Sequence, residues 1–428
     1  MIARRSCLLI LTLMVPLGLA AQDPVDSRTI GKPSLFSSLS SLDKLGSALK
    51  PLQTPAKGVE LHVNYSIEVF GDVSGGYRRG AAADGLLTLS AQLDLGELLK
   101  LSDLKGSTIS ASAYWSHGPS ISGRYVHDLN GISSIDAYDT IRFNELWFEK
   151  KFGETFSLRL GLLAADTEFF NCTSDAIFLN SCFGMPPIVS LNLNAPIFPL
   201  SAPGIRLALS PNDSLTCRLG LFGGDTGMED INNKRGLRFS NYPDAGAFVI
   251  GESVCSVPGH HPTSYTIGGF YHSDHDANTI ADGLSHGNHF GWYASVERTL
   301  SEKPAKTKVS NSGPGNDHDV TAFFRAGGAA PSSRNPITLY FDGGLNFAGG
   351  LWRKPKDSAG IACSYTNTSD ELSAQPTPTY ELVTEAVYNA VLSKSFTLQP
   401  DIQFIVHPGA NPATPNALVI GMRLTMTY

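Results

Sequence analysis

From Val59 onward the chain alternates. Val59, Leu61, Val63, Tyr65, Ile67, Val69 and Val73 share one parity, while Glu60, His62, Asn64, Ser66, Glu68 and Asp72 share the other. A period of two predicts β-strand, because successive side chains point to opposite faces. The run outlasts the ~5–6 residues usual in a globular protein and suits a tilted membrane strand of ~9–11 residues plus its rims. The far end repeats the pattern, with Leu418, Ile420, Met422, Leu424, Met426 and Tyr428 alternating with Val419, Gly421, Arg423, Thr425 and Thr427. Sixteen such runs are predicted, near 59–73, 85–95, 107–117, 140–151, 155–164, 203–210, 214–223, 245–255, 263–272, 288–299, 319–329, 336–348, 358–367, 379–392, 395–406 and 417–428. Connections alternate in length. Turns at 152–154, 211–213 and 393–394 are tight, whereas 118–139, 165–202 and 224–244 are long; the Lys-, Pro- and Gly-rich 301–318 breaks the rule.

An alternating strand must hide one face. In lipid that face meets hydrocarbon, every backbone group must pair, and the sheet has to close on itself. The predicted fold is therefore all-β, a transmembrane antiparallel β-barrel of about sixteen strands over residues 58–428, wide enough for an aqueous lumen. The competing architecture is a large secreted β-sandwich, whose hidden face would meet a second sheet. Residues 22–57 are polar and irregular, with Leu35, Phe36, Leu39, Leu42, Leu45 and Leu49 at helical spacing; they predict a periplasmic segment holding a short amphipathic helix. Residues 1–21 read as an export signal: Arg4 and Arg5, an apolar stretch from Cys7, then the small-residue end Gly18-Leu19-Ala20-Ala21. The expected location is the bacterial outer membrane, with lipid around the barrel and the last strand, ending on Tyr428, as the segment the barrel-assembly machinery reads.

Composition fits this reading. Charged residues are 17% of the 428, against ~25% for soluble domains. A net charge of -7 argues against nucleic acid as a partner, which calls for a basic stripe. After the signal, no apolar run approaches the ~20 residues of a membrane helix.

Parity also assigns faces. Phe156, Leu158, Leu160 and Leu162 face out, so Arg159 faces in; by the same argument Arg206 and Arg218 face in on the next two strands, as do Arg325 and Arg423. Glu60, Glu68, Asp72, Glu381, Glu385 and Asp401 collect on other strands, which predicts a basic wall opposite an acidic one. The plainer alternative is that these charges are merely solvated. Tyr114, Trp147, Phe222, Tyr293, Phe323 and Tyr340 also point inward. Sugars present a C–H face to such rings and hydroxyls to such charges. The fourth run is irregular; a bulge near Asn144 turns Glu145 and Trp147 into the lumen. The long 165–202 connection is expected to fold inward and narrow the passage. Of six cysteines, Cys172 and Cys182 flank a ten-residue step in it and are the candidate disulfide, expected to pin it.

These residues resemble the carbohydrate-selective porins of the OprB family. The stretches that carry the likeness are YSIEVFGDVSGGYRRGA (65–81), HGPSISGRYVHDLN (117–130), NELWFE (144–149), LGLLAADTEFF (160–170), FGGD (222–225), LQPDIQFIVHPG (398–409) and ALVIGMRL (417–424). The resemblance implies a sixteen-stranded barrel that passes sugars through an arginine-containing constriction. A general or weakly anion-preferring diffusion porin is the alternative, and assembly as a homotrimer is left open. The Trp-Gly-Gly stretch that many members carry near the first helix is absent.

Rival chemistries find less support. His272, Asp274, His275 and Asp276 could surround a metal but fall at a loop start, as do His260 and His261; no metal and no cofactor is expected. No G-x-S-x-G elbow is present, and the chain does not read as an enzyme.

Overall fold

The computed structural model describes residues 57–226, 233–237, 246–273, 288–301, 319–349, 354–371 and 380–428. The export signal, the predicted helix at 35–49, the bulk of 301–318 and the Asp274-His275-Asp276 triplet lie outside these residues. Sixteen strands form one sheet: β1 (Val59–Ser74), β2 (Gly80–Asp94), β3 (Ser107–His117), β4 (Thr140–Phe152), β5 (Phe156–Leu163), β6 (Ala202–Asn212), β7 (Leu215–Gly223), β8 (Ala247–Val257), β9 (Thr263–His272), β10 (His289–Thr299), β11 (Val320–Ala330), β12 (Ile337–Ala348), β13 (Ser358–Thr368), β14 (Tyr380–Val391), β15 (Phe396–Val406) and β16 (Ala417–Thr427). Each pairs antiparallel with its sequence neighbours, and β1 pairs with β16, so the sheet is a closed barrel. Every predicted run coincides with a strand.

Closure follows from the side chains. Ile205, Leu207 and Leu209 of β6, Leu219 and Leu221 of β7, and Ile420 and Met422 of β16 stand exposed on the outer face, while Arg206 and Arg423 are buried on the inner one. A soluble protein would hide such a belt; a barrel in lipid offers it to hydrocarbon. The fourth strand carries the expected irregularity. Its register with β3 shifts between Ala111 and Ala113, so Asn144 and Glu145 share one partner position. The bulge lets Arg142 and Asn144 be buried inside above it and Trp147 and Glu149 below it. Opposite Trp147 lies Gly161, at a φ of 146°; a side chain there would strike the Leu146 carbonyl and the Trp147 backbone.

Apolar side chains also occupy inner positions, as on β8 and β14. On β8 the buried inner positions are Phe248, Ile250 and Glu252, and on β14 they are Glu381, Val383, Glu385 and Val387. Apolar residues face inward here because the lumen is partly filled. Connection 164–201 buries Phe169, Phe170, Phe178, Leu179, Phe183, Ile188 and Val189 inside the ring.

Candidate functional site

The 164–201 loop turns inward because its apolar residues find aromatic partners on the wall. Phe170 packs on Tyr293 at 4.2 Å between ring centroids, and Phe178 on Phe323 at 5.9 Å. Phe198 at its far end meets Tyr114 at 5.3 Å. A loop crossing a lumen carries main-chain N–H groups with no strand to pair with. Here wall glutamates accept them. Glu145 takes Ala164 N at 3.0 Å, Glu252 takes Phe170 N at 3.0 Å, and Glu297 takes Ser174 N at 2.9 Å. Glu385 takes Leu179 N and Asn180 N at 2.6 and 3.0 Å. Glu381 holds the 118–139 connection likewise, through Leu129 N and Asn130 N at 2.8 and 2.9 Å.

Arg325 serves the opposite end of the peptide dipole. It donates to the Cys182 and Gly184 carbonyls at 2.9 and 3.0 Å, and pairs with Asp342 on β12 and with Asp175 of the loop, the latter at 2.8 Å. Arg423 pairs with Glu68 at 2.7 Å across the β1–β16 seam. Arg325, Arg423, Glu68, Glu381 and Glu385 thus face inward as parity requires, and Glu145 as the bulge requires, but they fix loops and strands rather than line open water.

The expected disulfide is not formed. Both sulfurs are free, and each has a different environment. Cys172 Sγ donates to Glu297 on β10 at 3.0 Å. Cys182 is buried beside the Arg325 hub, which its own carbonyl helps to build. Hydrogen bonds and aromatic packing, not a covalent staple, hold the loop.

Arg159, Arg206 and Arg218 do occupy one stretch of inner wall. Arg159 and Arg206 are directly opposite each other in the β5–β6 register. Their repulsion is cancelled by two carboxylates that sequence reasoning left out, Glu149 of β4 and Glu168 of the loop. Arg159 approaches them at 2.7 and 3.5 Å, Arg206 meets Glu149 at 3.2 Å, and Arg206 Nε donates to Glu168 Oε2. The Arg159 guanidinium lies 3.9 Å from the Trp147 ring centroid. Arg218 pairs with Glu252 at 2.9 Å, and Glu252 also accepts from Tyr293 Oη at 2.8 Å. Side-chain exposure separates the three: 3% for Arg206, 15% for Arg159 and 28% for Arg218. The anticipated pair of bare walls of opposite sign is therefore not what the lumen presents; arginines and carboxylates are interleaved, and Arg218 is the most open of the three guanidiniums.

Two cavities flank the loop. One, of about 380 Å³, is lined by Asn130, Asp136, Asp166, Phe169, Phe198 and other loop residues. The second, of about 320 Å³, is lined by Arg218, Glu252, Glu297, Ser264, Glu168 and Cys172 among others. Asn171, exposed on the loop, lines both. Burial pushes the Asp166 carboxyl up to about 6, against the lowering effect of the Phe198 N–H that it accepts at 2.8 Å. Burial likewise pushes Asp136 up to about 6; a hydrogen bond from Ser120 opposes this, and the nearby Glu68 and Asp128 add to it.

Glu297 was legible by parity, four residues from the inward Tyr293; Glu252 was not, because it shares its face with the apolar Phe248 and Ile250. Glu168 and Asn171 sit in the irregular loop, where no periodicity marks a face. His272 is buried with Nε2 3.2 Å from the Gly224 carbonyl, and His261 Nδ1 is 3.0 Å from the Thr299 carbonyl. Among the described residues no three His, Cys, Asp or Glu side chains gather as a metal site.

A closed sixteen-stranded barrel whose charged lumen is narrowed by an in-folded loop is the architecture of a porin. The family model for the carbohydrate-selective porins, OprB family, matches residues 78–428, and the chain belongs to that family. Among solved structures, the high-pH form of Pseudomonas putida OprB is 18% identical and superposes with a TM-score of 0.74, covering 91% of this chain and 97% of that one. Its low-pH form gives 15%, 0.53 and the same coverage. OmpT of Vibrio cholerae, at 7% identity, gives 0.50 over 88% of this chain and 99% of its own. At these identities the likeness is one of fold. No curated protein sequence matches the chain.

Proposed function

We propose that the protein is a passive outer-membrane channel for neutral sugars and similar small polar solutes, with its constriction between the Arg159–Arg206–Arg218 wall and the loop around Asn171. The observation that carries this reading is that Asn171 lines both cavities, within a lumen where guanidiniums alternate with carboxylates and aromatic rings stand behind them. Interleaved charges of both signs leave little net field, while each still donates to or accepts from a hydroxyl. Every contact stays modest, as a solute held tightly would block rather than pass. Liposome swelling with neutral mono- and disaccharides against charged solutes of equal size is the test. Faster entry of the neutral sugars is expected, and equal rates would leave only a general diffusion porin. The anion-preferring alternative draws no support from arginines that are each paired to a carboxylate.

The same reading takes residues 1–21 as the export signal, 22–57 as the periplasmic segment with its short helix, and 58–428 as the barrel. Lipid surrounds the outer belt, the assembly machinery engages β16, and the barrels assemble as single units or as homotrimers.

A further inference from the structure

We infer that β14 is the latch that sets the width of the passage, with Glu381 and Glu385 acting as positioning residues for permeation rather than as groups that touch the solute. The inference rests on the channel reading but not on sugar preference. Both side chains are fully buried, so no solute reaches them. They lie four residues apart on one inner face, and each performs the same task. Glu381 accepts the N–H groups of Leu129 and Asn130; Glu385 accepts those of Leu179 and Asn180. A Leu-Asn pair from each in-folded loop is thus read by one carboxylate of one strand.

The asparagine side chains extend the grip onto neighbouring strands. Asn130 Oδ1 accepts from Thr366 on β13 at 2.8 Å, and Asn180 Nδ2 donates to Gln403 on β15 at 2.9 Å. The loops are also tied to each other, with Ser181 N donating to the Gly131 carbonyl at 2.9 Å and Ser134 N to the Leu179 carbonyl at 2.7 Å. Held together on the β14 side, they leave the cavity beside Arg218 on the other. Freeing either pair loosens both loops, because the bonds between them transmit the release.

Single-channel recording in potassium chloride tests this. Glu385→Gln keeps the shape but turns an amide N–H toward the loop N–H groups it should accept. Leaving a buried loop N–H without its acceptor raises the released population by roughly tenfold, so excursions to a larger conductance level should become about that much more frequent. Glu381→Gln should reach the same level, since one linked unit is released. Asp357→Asn is the control: its carboxylate accepts from Tyr388 and Val391 at the turn and touches neither loop, and its trace should match the wild type. If Glu385→Gln does not insert, Asn180→Pro removes one of the two N–H groups from the loop side, together with the side-chain bond to Gln403, at a residue whose φ is already -65°, and should give the same excursions. Inserted Glu→Gln variants with wild-type traces overturn the latch. A wild-type protein that opens no pore overturns the channel reading and the latch together.

Discussion

At the scale of single residues, a guanidinium's exposure decides what its removal does. Arg218 is paired on one side only and open on the other, whereas Arg206 is enclosed by Glu149 and Glu168. Arg218→Ala should therefore weaken sugar block of ion current by a few fold and shift the reversal potential toward cation preference, since the Glu252 charge remains. Arg206→Ala should act first on stability, because breaking a buried pair and stranding its carboxylates costs ~3–5 kcal/mol. Urea unfolding and planar-bilayer recording of both variants separate the two roles. An Arg206→Ala barrel as stable as wild type would show that the cluster is wetter than its geometry implies. Parity in the sequence was enough to point all three arginines inward. It could not rank them, because Glu168, which encloses Arg206, comes from a loop without periodicity.

Among the elements, strands were legible and loops were not, for one physical reason. A strand's faces follow from a two-residue repeat, so even the β4 bulge could be located from the clash between Glu145, Trp147 and their neighbours. The loops obey partners instead. The Cys172–Cys182 spacing looked like a local staple, yet Glu297 draws one sulfur aside while the other is buried beside the Arg325 hub. The inward apolar face of β8 follows from aromatic neighbours on the adjoining strands, since Phe248 packs on Phe222 and Phe270, and not from any repeat in its own sequence. Loop chemistry also supplies a pH response. Asp136 and Asp166 both line the cavity of about 380 Å³, and burial holds each protonated up to about 6. Below that value the cavity is close to neutral, and above it two negative charges appear. Cation preference should therefore strengthen as pH rises from about 5 to about 7, read as the zero-current potential under a potassium chloride gradient. A potential that does not move, or moves toward anions, would place these carboxylates away from the conduction path.

For the molecule as a whole, the ring depends on a single long-range seam. β16 pairs with β1 in a register that sets Arg423 against Glu68, and Tyr428 exchanges both main-chain hydrogen bonds with Val63 at 2.8 Å. Deleting 417–428 should abolish the heat-modifiable form on a gel and leave aggregate. Closure would then require β1 to meet β15 in parallel, against a sheet in which every pair is antiparallel. Recovery of a folded, conducting barrel from the truncated chain would refute this. The seam also sets a timetable. The partner that β1 needs comes last of the sixteen strands in the sequence, so any ribbon formed before the two pair carries two raw edges. Yield is then governed by how long that ribbon is sheltered, and a slow final segment of eleven residues would harm it more than a weakened strand in the middle.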